Sequence, residues 1–349
     1  MPVQPGLGWE VLVIIMIKLS SNENPYPLTG EVAKKVKKLA LEVAYNRYPD
    51  KTYSELRDSL SNYAGFPADK IIAGNGSDEL ILLSLLKYGG KDSVMISPTP
   101  TFGMYSHYAR VTGTEIIEIP YSLEEDFVFP EGKIMELAKK FDKGIIFLCY
   151  PNNPTGERLS LSWLVKLLAE TELMVVVDEA YYEFSGKTAI DLIANNQNLI
   201  VLRTLSKAFG LAGLRVGYLM ANKPVIDGLN EIRSPYNISN YSAKIAVALL
   251  GFEDEYRKQW IEMRSERIKL EEFLKKHDSI NAFHSEGNFI LFKTDNDEEE
   301  IKDKLLERNI MIRYWDNLDI LGKALRVSVG MPEENELFKE EITSILEGV

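Results

Sequence analysis

The sequence predicts an α/β protein: a large domain on a mainly parallel sheet covered by helices, with a smaller α+β domain attached. Its 349 residues suffice for one large core and a second, lesser one. Short β-rich runs alternate with amphipathic stretches through the first two thirds of the chain, the pattern of parallel strands joined by crossover helices. From about residue 237 that alternation gives way to one long, charge-rich helical stretch and a few short strands.

Taken in order, residues 31–45 place Val32, Val36, Leu39 and Val43 on one helical face, and Thr52–Ala64 and Ser77–Tyr88 predict two more helices. The strand runs are Ser93–Ser97, Glu115–Pro120, Gly144–Tyr150, Leu173–Asp178, Leu199–Arg203 and Val216–Met220. Helices at 102–112, 132–141 and 160–171 separate several of them. Asp254–Lys276 keeps Tyr256, Trp260, Met263, Leu270 and Leu274 in a helical stripe. Strands at Phe289–Lys293, Ile310–Tyr314 and Leu325–Val329 and helices at 298–308 and 334–347 follow. The expected division is an N-terminal arm over 1–25, a small α+β domain from 26–44 and 245–349, and a large domain over 45–244. Val11–Ile17 is almost unbroken apolar sequence, too short to span a bilayer and without the charged leader and cleavage site of a signal peptide. Either Met16 is the natural start and residues 1–15 an upstream extension, or the segment is an apolar arm packing on another subunit.

The net charge of −12 argues against nucleic acid and anionic membrane as partners, while leaving room for small anionic substrates held by local Arg or Lys. The single cysteine, Cys149, lies in the apolar run Ile145–Tyr150 and reads as a small buried strand residue; no internal disulfide can form. Three histidines (His107, His277, His284) show no paired spacing, so no metal site is expected.

Ligands of open α/β sheets sit at the carboxyl ends of strands, which directs attention to the residues just after each run. Asp178 ends the Val-rich run before Glu179-Ala180-Tyr181. A buried carboxylate is costly unless it meets a cation or strong donors, though capping the next element is an equal reading. Lys207, in Thr204-Leu205-Ser206-Lys207, has few charged neighbours; a desolvated amine there would be nucleophilic, against the commoner fate of a surface lysine. Pro151-Asn152-Asn153-Pro154-Thr155-Gly156 is either a plain tight loop or a rigid platform for a side-chain amide. Gly74-Asn75-Gly76-Ser77-Asp78-Glu79 opens a helix, where free N–H groups favour an anion or Ser77 acts as an ordinary cap. Neither a dinucleotide fingerprint nor a P-loop is present, which speaks against a nicotinamide dehydrogenase. Arg215 starts a strand shortly after Lys207, and Arg313 and Arg326 sit inside short apolar strand runs, a pair that suggests a recessed anion site.

Together these pieces resemble the fold-type I pyridoxal-phosphate aminotransferases of class I/II, and within them the histidinol-phosphate aminotransferases. The resemblance rests on Ser21-Asn22-Glu23-Asn24-Pro25, Asn46-Arg47-Tyr48-Pro49, Gly76–Glu79, Pro100–Tyr105, the Asn-Asn-Pro-Thr-Gly loop, Asp178–Tyr181, Arg203–Phe209, Gly213–Gly217 and Leu325–Gly330, in family order from about residue 19 onward. It implies that Lys207 holds pyridoxal 5'-phosphate as a Schiff base and moves the substrate proton, and that Asp178 pairs with the ring nitrogen. Asn153 and Tyr181 correspond to the residues that bind the ring oxygen, and Phe102 to an aromatic stacked on the ring, where many relatives carry Tyr. Gly76, Ser77, Asp78, Thr204, Ser206 and Arg215 correspond to the phosphate cradle. Tyr48 corresponds to a residue reaching the cofactor from the other subunit of a homodimer. Asn24, Arg313 and Arg326 fall at substrate-binding positions. The implied reaction is transamination between histidinol phosphate and 2-oxoglutarate, in histidine biosynthesis and in the cytoplasm. The chain departs from the family ahead of the Asn-Glu-Asn-Pro motif, where an arm that covers the substrate has no clear counterpart. Other readings are an aromatic amino-acid aminotransferase, a threonine-phosphate decarboxylase, and a non-catalytic cofactor-binding module; the intact Lys207, Asp178 and Asn153 set counts against the last.

Overall fold

The structure is a computed structural model that describes residues 16–123 and 127–348. The apolar segment ahead of Met16 lies outside the described residues. A three-residue strand, β1 (Ile17–Leu19), precedes two helices, α1 (Gly30–Glu42) and α2 (Ser54–Ala64). Next come β2 (Ile71–Gly74), α3 (Gly76–Tyr88), β3 (Val94–Thr99), α4 (Met104–Thr112), β4 (Glu115–Pro120), α5 (Glu131–Lys140), β5 (Gly144–Cys149), α6 (Leu161–Glu170) and β6 (Met174–Asp178). The chain continues through α7 (Tyr182–Ser185), β7 (Leu199–Thr204), β8 (Gly217–Ala221), α8 (Lys223–Asn230), α9 (Asn240–Leu250) and α10 (Glu253–Leu274). It ends in β9 (Ile280–Ala282), β10 (Phe289–Thr294), α11 (Glu298–Glu307), β11 (Ile310–Trp315), β12 (Ala324–Ser328) and α12 (Pro332–Glu347).

Seven strands form one sheet in the order β2-β8-β7-β6-β5-β3-β4. The five strands from β4 to β7 run parallel, and β8 is antiparallel to both β7 and β2. The parallel strands β5, β6 and β7 are buried along their whole length, which explains their unbroken apolar sequence: helices cover both faces. β4 is the edge strand and carries the exposed Glu115 and Glu118 among its isoleucines. Since β4 pairs outward from β3 while β5 pairs on β3's other side, the order reverses there and opens a crevice at the carboxyl ends.

The second sheet has the order β1-β11-β12-β10-β9. Leu325 and Val327 of β12, Ile310 and Ile312 of β11 and Ile290 and Phe292 of β10 point to one face, where they join Leu270, Leu305, Phe338 and Ile342 in a core. The period of two then sends Arg313, Arg326 and Ser328 to the opposite face, toward the large sheet. Part of the stretch expected to be an arm is thus a strand, β1, paired with β11.

α10 ties the two cores together. Tyr256, Trp260 and Met263 bury into the core of the large sheet, and Leu270 and Leu274, further along the same stripe, into that of the small one. α1 packs Val32, Val36 and Leu39 on the large core beside α9. The helices and strands expected from sequence are present within a few residues. β1, β2, β9, α7, α8 and α9 were not anticipated: the strands are three or four residues long, too short for a period to register.

Candidate active site

The crevice holds a cavity of about 530 Å³ at the carboxyl ends of β3, β5, β6 and β7, roofed by the small sheet. Of the residues singled out in the sequence, Ser77, Asp78, Phe102, Asn153, Asp178, Tyr181, Thr204, Ser206, Lys207, Arg215, Arg313 and Arg326 all line it. A wider groove of about 720 Å³ between α10 and α12 contains none of them. Its Lys269 and Lys339 pair with glutamates along their own helices, as a solvated charged surface does.

Asp178 ends β6 and is buried. Tyr105 Oη donates to its Oδ2 at 2.8 Å, and the Ala180 N–H to Oδ1 at 3.1 Å. Burial nonetheless pushes the carboxyl up to about 6, so it is ionised at neutral pH. It has no cationic side chain as partner among the described residues. Tyr105 stacks on Phe147 with centroids 4.7 Å apart and meets Phe102 edge-on at 5.6 Å. Next door, Glu179 and Arg203 form a buried ion pair at 2.9 Å, with Thr188 and the Ala189 N–H completing it. This pair locks the ends of β6 and β7 together.

Lys207 follows β7. Its Nζ donates to the Ser21 carbonyl at 2.8 Å and lies 5.9 Å from the centre of the Tyr181 ring. Burial, and then the charge of Arg326, bring its amine down to about 8, which leaves a substantial neutral fraction near physiological pH.

An anion cradle occupies the other end of the cavity. α3 begins at Gly76 with no side-chain cap, so the N–H groups of its first turn are unspent. Gly76 has φ +78, and a Cβ there would lie 2.5 Å from Arg215 Nη2. Gly217 lets β8 approach equally closely, since its Cβ would meet Ser77 N at 2.5 Å. Arg215 pairs with Asp78 at 2.7 Å and reaches Ser206 Oγ at 3.4 Å.

On the small sheet, Arg313 and Arg326 are direct partners across β11 and β12. Like charges directly opposed repel. Neither has a carboxylate partner among the described residues. Arg326 is buried, donates to Ser20 O at 2.8 Å and to Asn153 Oδ1, and leaves its Nε without a partner. Trp315 lies 5.3 Å from its guanidinium and 5.1 Å from that of Arg313. A negative group between them would relieve their repulsion.

Two expected residues are elsewhere. Asn24 does not line the cavity: its Nδ2 is spent on the Ala208 carbonyl at 2.8 Å and on Gln259 at 3.1 Å, so it clamps the backbone beside Lys207 and has no donor left for a substrate. Tyr48 is 80% exposed and stacks on Tyr236 at 4.5 Å, outside the cavity of its own chain. Conversely, Asn22, Tyr105, Trp315 and Ser328 bear on the site without having been given a role. The first two and Ser328 stood inside motifs already noted, but only the fold shows what they touch.

A family model for aminotransferase class I and II matches residues 14–338. The chain belongs to the class I and II aminotransferases. It is 39% identical over 333 residues to a histidinol-phosphate aminotransferase of Desulfitobacterium hafniense, covering 95% of this chain and 92% of that one. The fold is similar to that of a histidinol-phosphate aminotransferase of Clostridium acetobutylicum, with a TM-score of 0.87 at 24% identity and coverage of 96% and 100%. It is also similar to that of a Sinorhizobium meliloti enzyme of the same name solved in complex with pyridoxal-5'-phosphate, with a TM-score of 0.85 at 21% identity and coverage of 95% and 92%. Asp178 and Lys207 line the strand-end side of the cavity, and Arg313 and Arg326 line it from the small sheet.

Proposed function

We propose that this aminotransferase works with pyridoxal phosphate and takes histidinol phosphate as amino donor and 2-oxoglutarate as acceptor, in histidine biosynthesis. The observation that carries the substrate is the opposed pair Arg313 and Arg326, which asks for an anionic group and serves a phosphate in one half-reaction and a carboxylate in the other. The residues fit the cofactor on their own chemistry. Asp178 is a buried carboxylate lacking a cation, as a protonated ring nitrogen would supply; the uncapped α3 with Arg215 and Ser206 suits a phosphate; Lys207 is a desolvated amine.

Bound there, the cofactor supplies an electron sink for the pair left when the substrate Cα–H bond breaks. Asp178 would keep the ring nitrogen protonated. Asn153 and Tyr181 would hold the ring oxygen, and Phe102 would contribute an aromatic surface for the ring. Gly76, Ser77, Asp78, Thr204, Ser206 and Arg215 would anchor the phosphate. Lys207, with its amine free, would take the proton from the substrate Cα and carry it within the cavity. Arg326 orients the substrate anion, with Arg313 helping on the phosphate.

We also propose a cytoplasmic homodimer with Tyr48 crossing to the partner's site. Tyr48, Tyr45, Leu41 and Tyr236 form an exposed apolar and aromatic surface that a second copy would cover. No described helix is long and apolar enough to cross a membrane.

Rapid-mixing absorbance of the cofactor-loaded protein tests the substrate. Histidinol phosphate alone, among histidinol phosphate, phenylalanine and threonine phosphate, is expected to convert the cofactor quickly. An equal rate with phenylalanine, or CO₂ release from threonine phosphate, overturns the reading.

A further inference from the structure

We propose that Asn22 and Ser328 are positioning residues that fix the direction of the Tyr181 hydroxyl, so that its proton is delivered into the cavity toward the cofactor's ring oxygen. The inference rests on the pyridoxal phosphate reading above and extends it to two residues to which that reading gives no part.

The argument is one of hydrogen-bond direction. A serine hydroxyl carries one proton. Ser328 Oγ accepts from the main-chain N–H of Asn22 at 2.8 Å, and its second partner is Asn22 Oδ1 at 3.1 Å. With the N–H already aimed at Oγ, the serine proton goes to Oδ1, which identifies that atom as the amide oxygen. The other amide atom, Nδ2, is therefore the donor that lies 3.0 Å from Tyr181 Oη. The phenol oxygen accepts on that side, so its own proton leaves in another direction. Tyr181 lines the cavity, and the cavity is where that proton finds an acceptor.

The arrangement is over-determined. Asn22, Ser328 and Tyr181 are all buried, so an unpaired group among them is costly. Asn22 has φ 54, a left-handed conformation that asparagine tolerates better than most residues, and Asn288 Nδ2 donates to its carbonyl at 3.1 Å. Ser328 shares a face of β12 with Arg326. The strand that presents the substrate arginine thereby also sets the polarity of the cofactor tyrosine. The other groups facing Tyr181 are Lys207, Arg326, Asp178 and the Cys149 thiol, and none of them is altered in the variants below.

The test is a pH titration of the visible absorbance of the cofactor-loaded protein. A hydrogen bond donated to the ring oxygen favours its anionic form, so losing that bond raises the midpoint. Tyr181→Phe is expected to raise it by about one unit. Asn22→Asp keeps the shape and the tolerance for a left-handed backbone but replaces the donor by an acceptor, which draws the tyrosine proton away from the cavity. It is expected to raise the midpoint by about as much, and to add nothing in the Tyr181→Phe background. Ser328→Ala, the milder change should Asn22→Asp not fold, is expected to raise it by about half a unit. If Tyr181→Phe moves the midpoint while Ser328→Ala and Asn22→Asp leave it in place, the inference fails and the cofactor reading stands. If the Asn22→Asp shift persists undiminished without the phenol, it is a charge effect and the inference fails likewise. If Tyr181→Phe itself moves nothing, the contact between Tyr181 and the cofactor falls, and the inference with it.

Discussion

The cavity joins two regions that treat charge in opposite ways. At the large sheet, the charged side chains around the site are already held: Asp178 by Tyr105 and Ala180, Arg215 by Asp78, Arg203 by Glu179. At the small sheet, Arg313 and Arg326 face each other with no carboxylate partner among the described residues. The first region is a frame assembled before any ligand arrives, so little reorganisation accompanies binding there. In the second, two cations oppose each other across β11 and β12, a repulsion that an anionic ligand would relieve, and on the proposed function this is the region that selects. On the proposed function, reaction type is set at the large sheet and substrate charge at the small one.

The comparison breaks most visibly if Lys207 is removed. Lys207→Ala deletes the only lysine amine among the described residues of the cavity lining and, on the proposed function, the proton carrier, so the half-reaction is expected to slow by about 10⁴-fold. The fold survives, because the strand ends remain locked by Glu179 and Arg203, whose pairing does not involve Lys207. Circular dichroism with single-turnover absorbance checks both halves of the statement. An unchanged cofactor absorbance band would remove Lys207 from the chemistry.

Next in size are the two arginines. Arg326→Ala removes a buried cation with bonds to Ser20 and Asn153, and is expected to cost about 10²-fold in kcat/KM with every anionic substrate. Arg313 is exposed, so Arg313→Ala is expected to cost about tenfold, mainly in KM for the phosphate substrate. Equal losses for the two would mean that the buried and exposed members do the same work, and the asymmetry argued here would go.

The two regions also differed in how far the sequence disclosed them. Asp178, Asn153 and Lys207 each follow a continuous apolar run, and a strand end is a local property; a parallel sheet then brings the ends together. Arg313 and Arg326 were legible as a pair of charges in apolar runs, but their direct opposition is a matter of antiparallel register, which the chain does not state locally. β1 was hidden for a related reason: its partner β11 lies near the other end of the chain. Asn24 looked like a substrate ligand because of the motif around it, yet the fold places Ala208 and Gln259 within its reach first. Tyr105 gave no sign of its bond to Asp178, since an aromatic on a helix face is ordinarily core.

The smallest effect tests whether the regions are electrically coupled. Lys207 owes its lowered value, about 8, first to burial and then to Arg326. The neutral amine is the form that attacks, so capture of free pyridoxal phosphate by the cofactor-free protein should accelerate from about pH 7 to about pH 9, with a midpoint near 8. The linked stability has the same sign. Between the folded value and the ordinary lysine value of 10.5 the unfolded chain binds more protons, so this group's contribution is present above that window and is lost as pH falls through about 8. Arg326→Ala takes away a positive charge and opens the amine to water, and both changes favour the charged form. The capture midpoint should therefore rise, by less than about one unit, since the opposing carboxylates Glu23 and Asp78 are untouched. Stopped-flow capture rates across the pH range, for the wild type and for Arg326→Ala, read it directly. A midpoint that stays at 8 would mean that the selecting region does not tune the reacting amine, and that the two sheets share a cavity without sharing a field.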